Sequence, residues 1–507
     1  MSGSYWHSTL TRRISRRRAL AATGATAAAA AFLAACGGGD GDDGDAAEPE
    51  DSSGLIHKPQ DTSSGARPGG TLKHFFTADI TTFDSLANNG SAPLSQSAAF
   101  VYPRLVKYSI LKYPDRNQGT SFEGDLSTGW EVSGDKLTVT FKLRPGMKWD
   151  PRPPTSSREA DSEDVIRSWE KFRSTNPGAS TYVYNAQTAP AAPVESMTAP
   201  DKSTIVVKLR EPDASIIALF AGTTFSPMPR EFDGGFDPKT TTRGHGPWLL
   251  ETYTPSVGFV YARNPNYYVK DRPYPDKLEA PIVPEYATRL AQFRAGNIHT
   301  DVTGGFGGNQ ADIVPTKNSL PETQLLVADS YPTQAPWHLM FGWDGNAPFK
   351  DKRLRQAVSM LIDREGVIDA LDNRDGFAKD GLELDVAYNT VVSAGWGEHW
   401  LDPKDQSKFG ASAKFLSHDP AEAKKLIEAA NGMGVEFDFH YNSTPQFPIQ
   451  QRVVELYNAM FLEAGLKPKL NGINNGPEYQ DNYYYGYRSK EYAAGTKKGY
   501  GGIAAGS

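Results

Sequence analysis

Alternating hydrophobic and polar positions predict β-strands in the part of the chain that follows residue 68. In Lys136–Leu143 every second side chain is apolar, and this period of two is typical of a half-buried strand. Thr204–Leu209 is a comparable β-branched and apolar run, and Thr71–Phe76 follows a Pro-Gly-Gly sequence of the kind that often introduces a strand. We therefore expect strands at these three positions.

Apolar residues spaced three or four positions apart predict helices between the strands. Asp351–Leu371 is predicted to be one amphipathic helix, because Leu354, Val358 and Leu361 fall on one side of it. The segment 162–172 is predicted to be a helix with Ser162 as its N-cap. Further helices are predicted for residues 98–108, from Asp419-Pro420 onward, and for Gln451–Gly465. Strands and helices intermix without a strict βαβ repeat, so we expect a mixed α/β protein with more than one lobe.

The first 36 residues have the features of an export signal. Arginines at positions 12–13 and 16–18 precede a weakly apolar, alanine-rich stretch that ends in Leu-Ala-Ala-Cys at Cys36. The paired arginines resemble a twin-arginine signal, although they would equally suit the general secretory route. The Leu-Ala-Ala-Cys ending resembles a bacterial lipobox, so we expect lipidation of Cys36. The alternative is a basic tail before an alanine-rich helix with an incidental cysteine.

Residues 37–68 are predicted to be a disordered acidic, Gly- and Ser-rich tether. Three glycines follow Cys36, seven acidic residues lie between positions 40 and 51, and the rest is rich in Ser, Gly and Pro. Low hydrophobicity and like charges keep such a segment extended.

Composition and charge exclude several classes of function. The chain has 507 residues, a formal charge of −7 and one cysteine, so we expect no intrachain disulfide, no CxxC motif and no basic face for nucleic acid. The nine histidines show no i,i+4 pair, so no metal site is expected. The motifs GxSxG and HExxH are absent, as is a Walker loop. We expect no catalytic residues, no cofactor and no enzyme.

Five blocks of sequence, taken in order along the chain, resemble the sequence motifs of one protein family. The blocks are Gly69–Leu72 with Thr82–Asp84, Leu126–Val132 with Phe141–Trp149, Gly246–Trp248 with Arg263–Tyr268, Phe293–Ile298, and Ala347–Glu365. They resemble the extracytoplasmic solute-binding proteins of family 5, which serve ABC importers of peptides, nickel and some sugars. The resemblance covers roughly residues 69–480, and His299 stands where the family usually has Asp.

The resemblance implies an α/β, two-lobed periplasmic-binding-protein-like fold of class II, with an extra subdomain in the first lobe. The implied ranges are 69–112 and 241–325 for the core of the first lobe, 113–240 for the subdomain and 326–507 for the second lobe. Members of the family normally continue past the segment that matches the end of this chain, so we expect the second lobe to be incomplete.

The resemblance also implies a function. A monomeric, lipid-anchored substrate-binding protein would capture a peptide-like or other small polar solute between its lobes. It would deliver that solute to ABC permease subunits on the periplasmic side of the membrane or at the cell surface. An exported lipoprotein hydrolase acting on peptides or sugars is the alternative.

The ligand-facing positions of the family, carried over segment by segment, fall on a loop of the first lobe and on aromatic residues elsewhere. Aromatic residues on loops are needed less for a core, which favours a role at the ligand. The implied ligand contacts are Asn88, Asn89, Gly90, Ser91, Tyr182, Tyr184, Trp337, Trp396 and Trp400.

Overall fold

The computed structural model describes residues 53–57, 60–87, 92–109, 121–175, 185–186, 192–300, 310–326, 338–384, 387–394, 400–443, 448–473, 479, 483 and 500–506. Cys36 and most of the predicted tether lie outside these ranges. Among the described residues, no helix is both long and apolar enough to cross a membrane.

Helices and strands intermix along the described chain. The strands are β1 (Thr71–Lys73), β2 (Val106–Tyr108), β3 (Phe122–Gly124), β4 (Ser127–Val132), β5 (Thr138–Leu143), β6 (Val194–Asp201), β7 (Thr204–Leu209), β8 (Trp248–Thr254), β9 (Gly258–Arg263), β10 (Lys277–Pro281), β11 (His338–Phe341), β12 (Glu436–Asn442), β13 (Lys467–Ile473) and β14 (Ile503–Gly506). The α-helices are α1 (Ala92–Val101), α2 (Ser162–Thr175), α3 (Ile216–Ala221), α4 (Tyr286–Arg294), α5 (Gln310–Ser319), α6 (Lys352–Leu361), α7 (Arg364–Asp372), α8 (Arg374–Lys379), α9 (Gln406–Phe409), α10 (Pro420–Ala429) and α11 (Pro448–Glu463).

The first lobe is built on a sheet in the order β1-β10-β9-β8. β1 runs parallel to β10 with Thr71 opposite Lys277, and the other pairs in the sheet are antiparallel. Phe259 and Tyr261 on β9 are fully buried, and Phe259 packs 4.3 Å from Phe76 between ring centroids. The carboxyl end of β1 therefore emerges directly beside a rigid aromatic core.

The subdomain of the first lobe is an antiparallel sheet in the order β4-β5-β7-β6. Its inward residues include Val139 and Phe141 on β5 and Ile205 on β7, all completely buried. These side chains belong to the same continuous apolar cluster as Phe259 of the first-lobe sheet. Because the two sheets share one core, the subdomain is held firmly against the first lobe.

The second lobe has a separate core and a sheet in the order β11-β14-β12-β13. β14 lies between β11, to which it is antiparallel, and β12, to which it is parallel. The backbone approaches are very close at two glycines. A Cβ atom on Gly502 would lie 1.9 Å from the carbonyl oxygen of Asp438, and one on Gly342 would lie 2.0 Å from that of Tyr500. Only glycine fits these positions.

Several elements confirm the expectations from the sequence. β5 and β7 form where the alternating patterns predict strands, and α10 begins at Pro420 with the Asp419 side chain accepting a hydrogen bond from the Glu422 N–H. α11 ends at Glu463, and Gly465 follows with a positive φ of 87°.

Three local predictions are wrong. The helix predicted for 98–108 ends at Val101, and Val106–Tyr108 instead pairs with β3, because Pro103 lacks the N–H that a continuing helix needs. The single helix predicted for Asp351–Leu371 is broken between α6 and α7, where the Asp363 side chain caps a new helix by accepting from the Gly366 N–H. The side chain that caps α2 belongs to Asp161, which accepts from the Glu163 N–H, whereas the Ser162 hydroxyl donates to the Asp201 carbonyl.

The segment predicted to be a tether has contacts to the folded body near its end. Leu55 and Ile56 pack in an apolar cluster with residues of α5 and α8, and the His57 N–H donates to the Leu325 carbonyl at 2.8 Å. Disorder therefore remains a prediction for residues 37–52. The domain boundaries also remain predictions. The paired strands β2 and β3 lie on opposite sides of the boundary predicted between residues 112 and 113.

A buried carboxylate organises the subdomain. Asp164 is completely buried on α2 and accepts hydrogen bonds from Arg158 at 2.7 Å, from the Trp149 indole at 3.0 Å and from the Arg230 N–H at 2.9 Å. Burial alone would raise the pKa of Asp164, but the hydrogen bonds from Arg158 and from backbone N–H groups outweigh it and lower that pKa. The carboxylate stays charged and holds α2 against the loops that follow β5 and α3.

We expect Asp164→Asn to lower the free energy of unfolding by about 3–5 kcal/mol, because it removes the buried carboxylate that pairs with Arg158 and Arg230 and leaves Arg158 with Glu231 as its remaining charge partner. The matched control is Asp233→Asn, whose carboxylate is 73% exposed and 3.5 Å from Arg167; its expected effect is below about 1 kcal/mol. Urea unfolding followed by tryptophan fluorescence measures both. The difference between wild type and Asp164→Asn should shrink at acid pH, where the wild-type carboxylate becomes protonated. Equal effects of the two substitutions would contradict the assignment.

Candidate ligand-binding site

Of the residues that the sequence implies for ligand contact, the structure describes Trp400. Asn88, Asn89, Gly90, Ser91, Tyr182, Tyr184, Trp337 and Trp396 lie outside the described residues. Two flanks of these positions lie within the described residues: α1, which directly follows residues 88–91, and the chain from Trp400 onward. Each flank holds polar and aromatic side chains in contact.

Trp400 is half-buried and is attached to a neighbouring loop. Its indole Nε1–H donates to the Tyr388 carbonyl oxygen at 3.0 Å. The Tyr388 hydroxyl in turn donates to the Glu365 carboxylate at 2.8 Å, at the first turn of α7. The tryptophan is therefore positioned by a tyrosine whose own position is fixed on a helix.

Glu365 is the centre of a second-lobe polar network. Besides Tyr388 it contacts Arg374 at 2.7 Å and Lys404 at 3.0 Å. Its burial acts to raise the pKa of Glu365, but the hydrogen bonds from Lys404, Tyr388 and Arg374 outweigh burial and lower that pKa. The Lys404 ammonium also lies 4.5 Å above the Tyr388 ring. A charged carboxylate thus holds two aromatic side chains and a cation at one place, which suits recognition of a ligand with both polar and apolar parts.

The other flank lies in the first lobe, where His74 directly follows β1. Gln96 Nε2 on α1 lies 2.7 Å from His74 Nε2, and Thr300 Oγ1 lies 2.9 Å from His74 Nδ1. Because an amide nitrogen can only donate, the ring accepts at Nε2 and carries its proton on Nδ1, which donates to Thr300. Burial lowers the pKa of His74, so the ring is neutral near pH 7.

This His74–Gln96–Thr300 cluster joins the end of β1, the helix α1 that follows residues 88–91, and the described segment that ends at Thr300. Phe100 packs edge-on against the imidazole with ring centroids 6.0 Å apart. Ligands in α/β folds commonly bind at the carboxyl ends of strands, and His74 lies at such an end. The cluster offers neutral hydrogen-bonding groups and an aromatic ring rather than a charge.

The second lobe holds a further aromatic group on the face of its sheet opposite α11. The His440 ring stacks on Tyr483 with centroids 4.3 Å apart and lies 5.7 Å from Tyr500. Asn471 Nδ2 donates to His440 Nδ1 at 2.9 Å, and the Tyr479 hydroxyl donates to the Ala505 carbonyl. These contacts fix β12, β13 and β14 to one another and cover β14.

Several of these residues were missed at the level of sequence. His74 lies inside the segment Thr71–Phe76 that was predicted to be a strand. Only the structure, in which β1 ends at Lys73, places it at a strand end, where α/β proteins commonly present ligand-binding groups. No sequence signal marks Tyr388 or Lys404, because their contacts with Glu365 join residues that are distant in sequence. Trp400 was selected because it is an aromatic residue in a segment predicted to be a loop, and its contact with ligand remains a prediction.

The chain matches the family model described as bacterial extracellular solute-binding proteins, family 5 Middle, over residues 121–502. Among curated proteins it is 26% identical over 389 residues to heme-binding protein A of Haemophilus influenzae, covering 73% of this chain and 64% of that protein. It is 23% identical over 428 residues to the dipeptide-binding protein of Escherichia coli K12, covering 80% of this chain and 70% of that one. The chain thus spans a little less than two thirds of the first of these relatives.

Solved structures show the same fold at low identity. The ABC transporter-associated periplasmic binding protein DppA of Helicobacter pylori, in complex with the peptide STSA, matches with a TM-score of 0.62 and 19% identity, covering 88% of this chain and 79% of that one. The binding protein AgaA of Agrobacterium tumefaciens R10, in complex with agropinic acid, matches with a TM-score of 0.63 and 20% identity, covering 86% and 77%.

We predict that His74 is a neutral, Nδ1-protonated imidazole at pH 7. The ¹⁵N chemical shifts of its ring nitrogens should show this tautomer, and the ring should titrate below its ordinary pKa because burial disfavours the charged form. Gln96→Leu removes the donor to Nε2 and should increase the share of the other tautomer. His418, whose position is exposed, is the internal reference. A His74 ring that is protonated at pH 7 would contradict the geometry described above.

Proposed function

Since the chain belongs to the bacterial extracellular solute-binding proteins of family 5, we propose that it captures a small polar solute between its two lobes and delivers it to the permease of an ABC importer. The observation that carries this proposal is the family match over residues 121–502, which covers most of the predicted subdomain and parts of both predicted lobes. The fold supports the same role, because each lobe has its own sheet and its own core.

Two separate cores support a mechanism based on closure. A ligand held between two lobes contacts both of them only when the lobes come together. The ligand therefore shifts the protein toward the closed state by as much as its affinity for the closed state exceeds its affinity for the open state. Hinge closure is the common motion of proteins with this architecture. The permease can then distinguish the loaded protein from the empty one by its shape.

The chemistry of the flanking residues favours a peptide-like solute. The neutral His74 and its partner Gln96 suit hydrogen bonds to amide groups, whereas Trp400 and Tyr388 offer aromatic faces beside the Lys404 ammonium. A short peptide has backbone amides, a terminal carboxylate and side chains of either character. Peptide binding is also named for the E. coli relative and shown by the STSA complex.

We further propose that the chain is exported and held at the outer face of the membrane by a lipid on Cys36. Its support is the sequence of the first 36 residues, in which arginines, an apolar stretch and Leu-Ala-Ala-Cys follow in order. The acidic segment after Cys36 would separate the body from the membrane. Such an anchor would keep a captured solute close to its importer, and the protein would act there as a monomer without a cofactor.

A panel of thermal unfolding measurements tests solute capture. Di-, tri- and tetrapeptides, disaccharides and a nickel–histidine chelate are added to the full-length Cys36→Ser chain. A solute at one hundred times its dissociation constant should stabilise the protein by roughly 2.7 kcal/mol. We expect peptides to give this shift, and Trp400→Ala to weaken the binding of the best peptide about tenfold or more. The matched control is Trp343→Ala, which removes an indole that is 48% exposed and lies elsewhere in the second lobe.

One outcome would contradict solute capture, and another would contradict only the peptide class. One is the absence of any shift across the panel together with turnover of a chromogenic ester or glycoside, which would favour the hydrolase alternative. The other is a shift with sugars or the nickel chelate alone, which would retain the binding role and reject the peptide class.

The lipid anchor has its own test. In cells that process lipoproteins, the wild-type chain should incorporate labelled palmitate and partition into the detergent phase of Triton X-114, since acyl chains bury readily in detergent. Cys36→Ser should remain in the aqueous phase, and Ser15→Ala, a change in the same leader, should behave as wild type. Labelling of Cys36→Ser at wild-type levels would reject this anchor site.

A further inference from the structure

We infer that the segment just before β1 forms a second connection between the two lobes, in addition to the covalent connection between Thr300 and β11. This N-terminal strap consists of the described residues 53–57 and 60–69. One of its ends is packed against helices at the second lobe, and its other end is hydrogen-bonded to the first lobe. The inference does not depend on the identity of the solute.

The early end of the strap is packed into an apolar cluster. Leu55 and Ile56 join Val314 of α5 and Phe377 of α8, and Leu382 completes the buried centre of the cluster. The His57 N–H donates to the Leu325 carbonyl oxygen at 2.8 Å. Ser53 lies directly beside Gly381, since a Cβ atom on that glycine would be 3.5 Å from the Ser53 Cβ. Side-chain packing and a backbone hydrogen bond therefore hold this end in one register.

The helix α8 at this end belongs to the second lobe. Arg374 in α8 contacts Asp369 of α7 at 3.0 Å and Glu365 at 2.7 Å. Arg452 of α11 donates to the Ala370 carbonyl at 3.2 Å, and α11 contributes Phe461 to the second-lobe core. Contacts through α7 and α11 thus connect Phe377 of α8 to the core beneath the sheet β11-β14-β12-β13.

The late end of the strap is fixed to the first lobe. The Gly69 N–H donates to the Tyr274 carbonyl at 2.9 Å, and the Tyr274 hydroxyl donates to the Ser63 carbonyl at 3.4 Å. Tyr274 lies between β9 and β10, and the Asp276 N–H donates to the Gly70 carbonyl at 3.0 Å. Residues 63–70 therefore move with the first-lobe sheet.

The helix α5 lies where the two lobes meet, and the strap covers it. The Arg294 guanidinium at the end of α4 donates to the Thr316 hydroxyl at 2.9 Å and 2.7 Å. α4 packs through Leu290 on Phe75, two residues after β1. On its other side α5 contributes Ile313 and Val314 to the cluster that holds Leu55 and Ile56. A change in the angle between the lobes must disturb one of these two contacts of α5.

The strap should consequently restrict how far the lobes separate. Opening moves the sheet that holds residues 63–70 relative to α8, and the short strap must then stretch or leave its cluster. If Cys36 is lipidated, which rests on the proposed function, residues 37–52 connect the lipid to the end of the strap that contacts α8. A pull from the membrane would then act first on the packing of Leu55 and Ile56.

Hydrogen exchange on the full-length Cys36→Ser chain without solute tests the strap. In this background, the double variant Leu55→Ser/Ile56→Ser should raise exchange at least tenfold in residues 310–326 and 374–384, because both segments lose their shared packing. Exchange in β5, β9 and β12 should stay unchanged. The control variant Val257→Ser/Val391→Ser removes two exposed valines, one in each lobe, and should alter neither set. Ile56→Ala, a smaller change, replaces the double variant if that variant fails to fold.

Distances between the lobes supply the second readout. Spin labels on cysteines that replace the exposed Lys208 and Lys424 report the separation of the subdomain from α10 by pulsed electron resonance. The strap variant should give a broader and longer distance distribution than its background, and the valine control should not. Unchanged exchange in 310–326 and 374–384, or an unchanged distance distribution, would overturn the inference while leaving solute binding untouched.

Discussion

The architecture depends on the pairing of β1 with β10, two strands about two hundred residues apart in sequence. Their parallel register sets Thr71 opposite Lys277, and hydrogen bonds continue past β1 from His74 to Glu279 and from Phe76 to Pro281. Everything between these strands, including the whole subdomain, is enclosed by this one pairing. Such long-range closure costs chain entropy before it yields contacts, and the shared aromatic core around Phe259 offsets that cost. The same pairing places His74 at the strand end, where it meets Gln96 of α1 and Thr300.

The second lobe obeys a different constraint, because its central strand β14 comes from the far end of the described chain. The close backbone approaches at Gly342 and Gly502 let β14 lie between β11 and β12. Its apolar face then joins α6, α10 and α11 in a core separate from that of the first lobe. Two independent cores, joined by the chain between Thr300 and β11 and by the inferred N-terminal strap, are the physical basis for treating the protein as two-lobed. The polar network around Glu365 lies next to α8, where the strap is packed, so the proposed ligand aromatic Trp400 and the strap share one supporting helix pair.

The sequence predicts the regular parts of this fold well, because their signals are local. The period-two pattern of β5 and the Asp419-Pro420 start of α10 depend on neighbouring residues and are confirmed. The break at Asp363 and the strand at Val106 were missed, since capping and a distant β3 partner outweighed an apparently helical pattern. The family follows from ordered motifs, whereas the site does not. Trp400 could be selected as a loop aromatic, but its hydrogen bond to Tyr388 and the link to Glu365 depend on tertiary folding. The packing of Leu55 and Ile56 was likewise hidden within a segment whose composition is typical of disorder.

The central claim is that a solute binds between two lobes and closes them. Small-angle X-ray scattering of the full-length Cys36→Ser chain, with and without a saturating mixture of di- to tetrapeptides, tests it most directly. Closure brings two separate cores together, so the account predicts a smaller radius of gyration and a shorter maximum dimension in the presence of bound peptide. Saturating binding that leaves the scattering profile unchanged would contradict the account, because the ligand would then lie on one lobe.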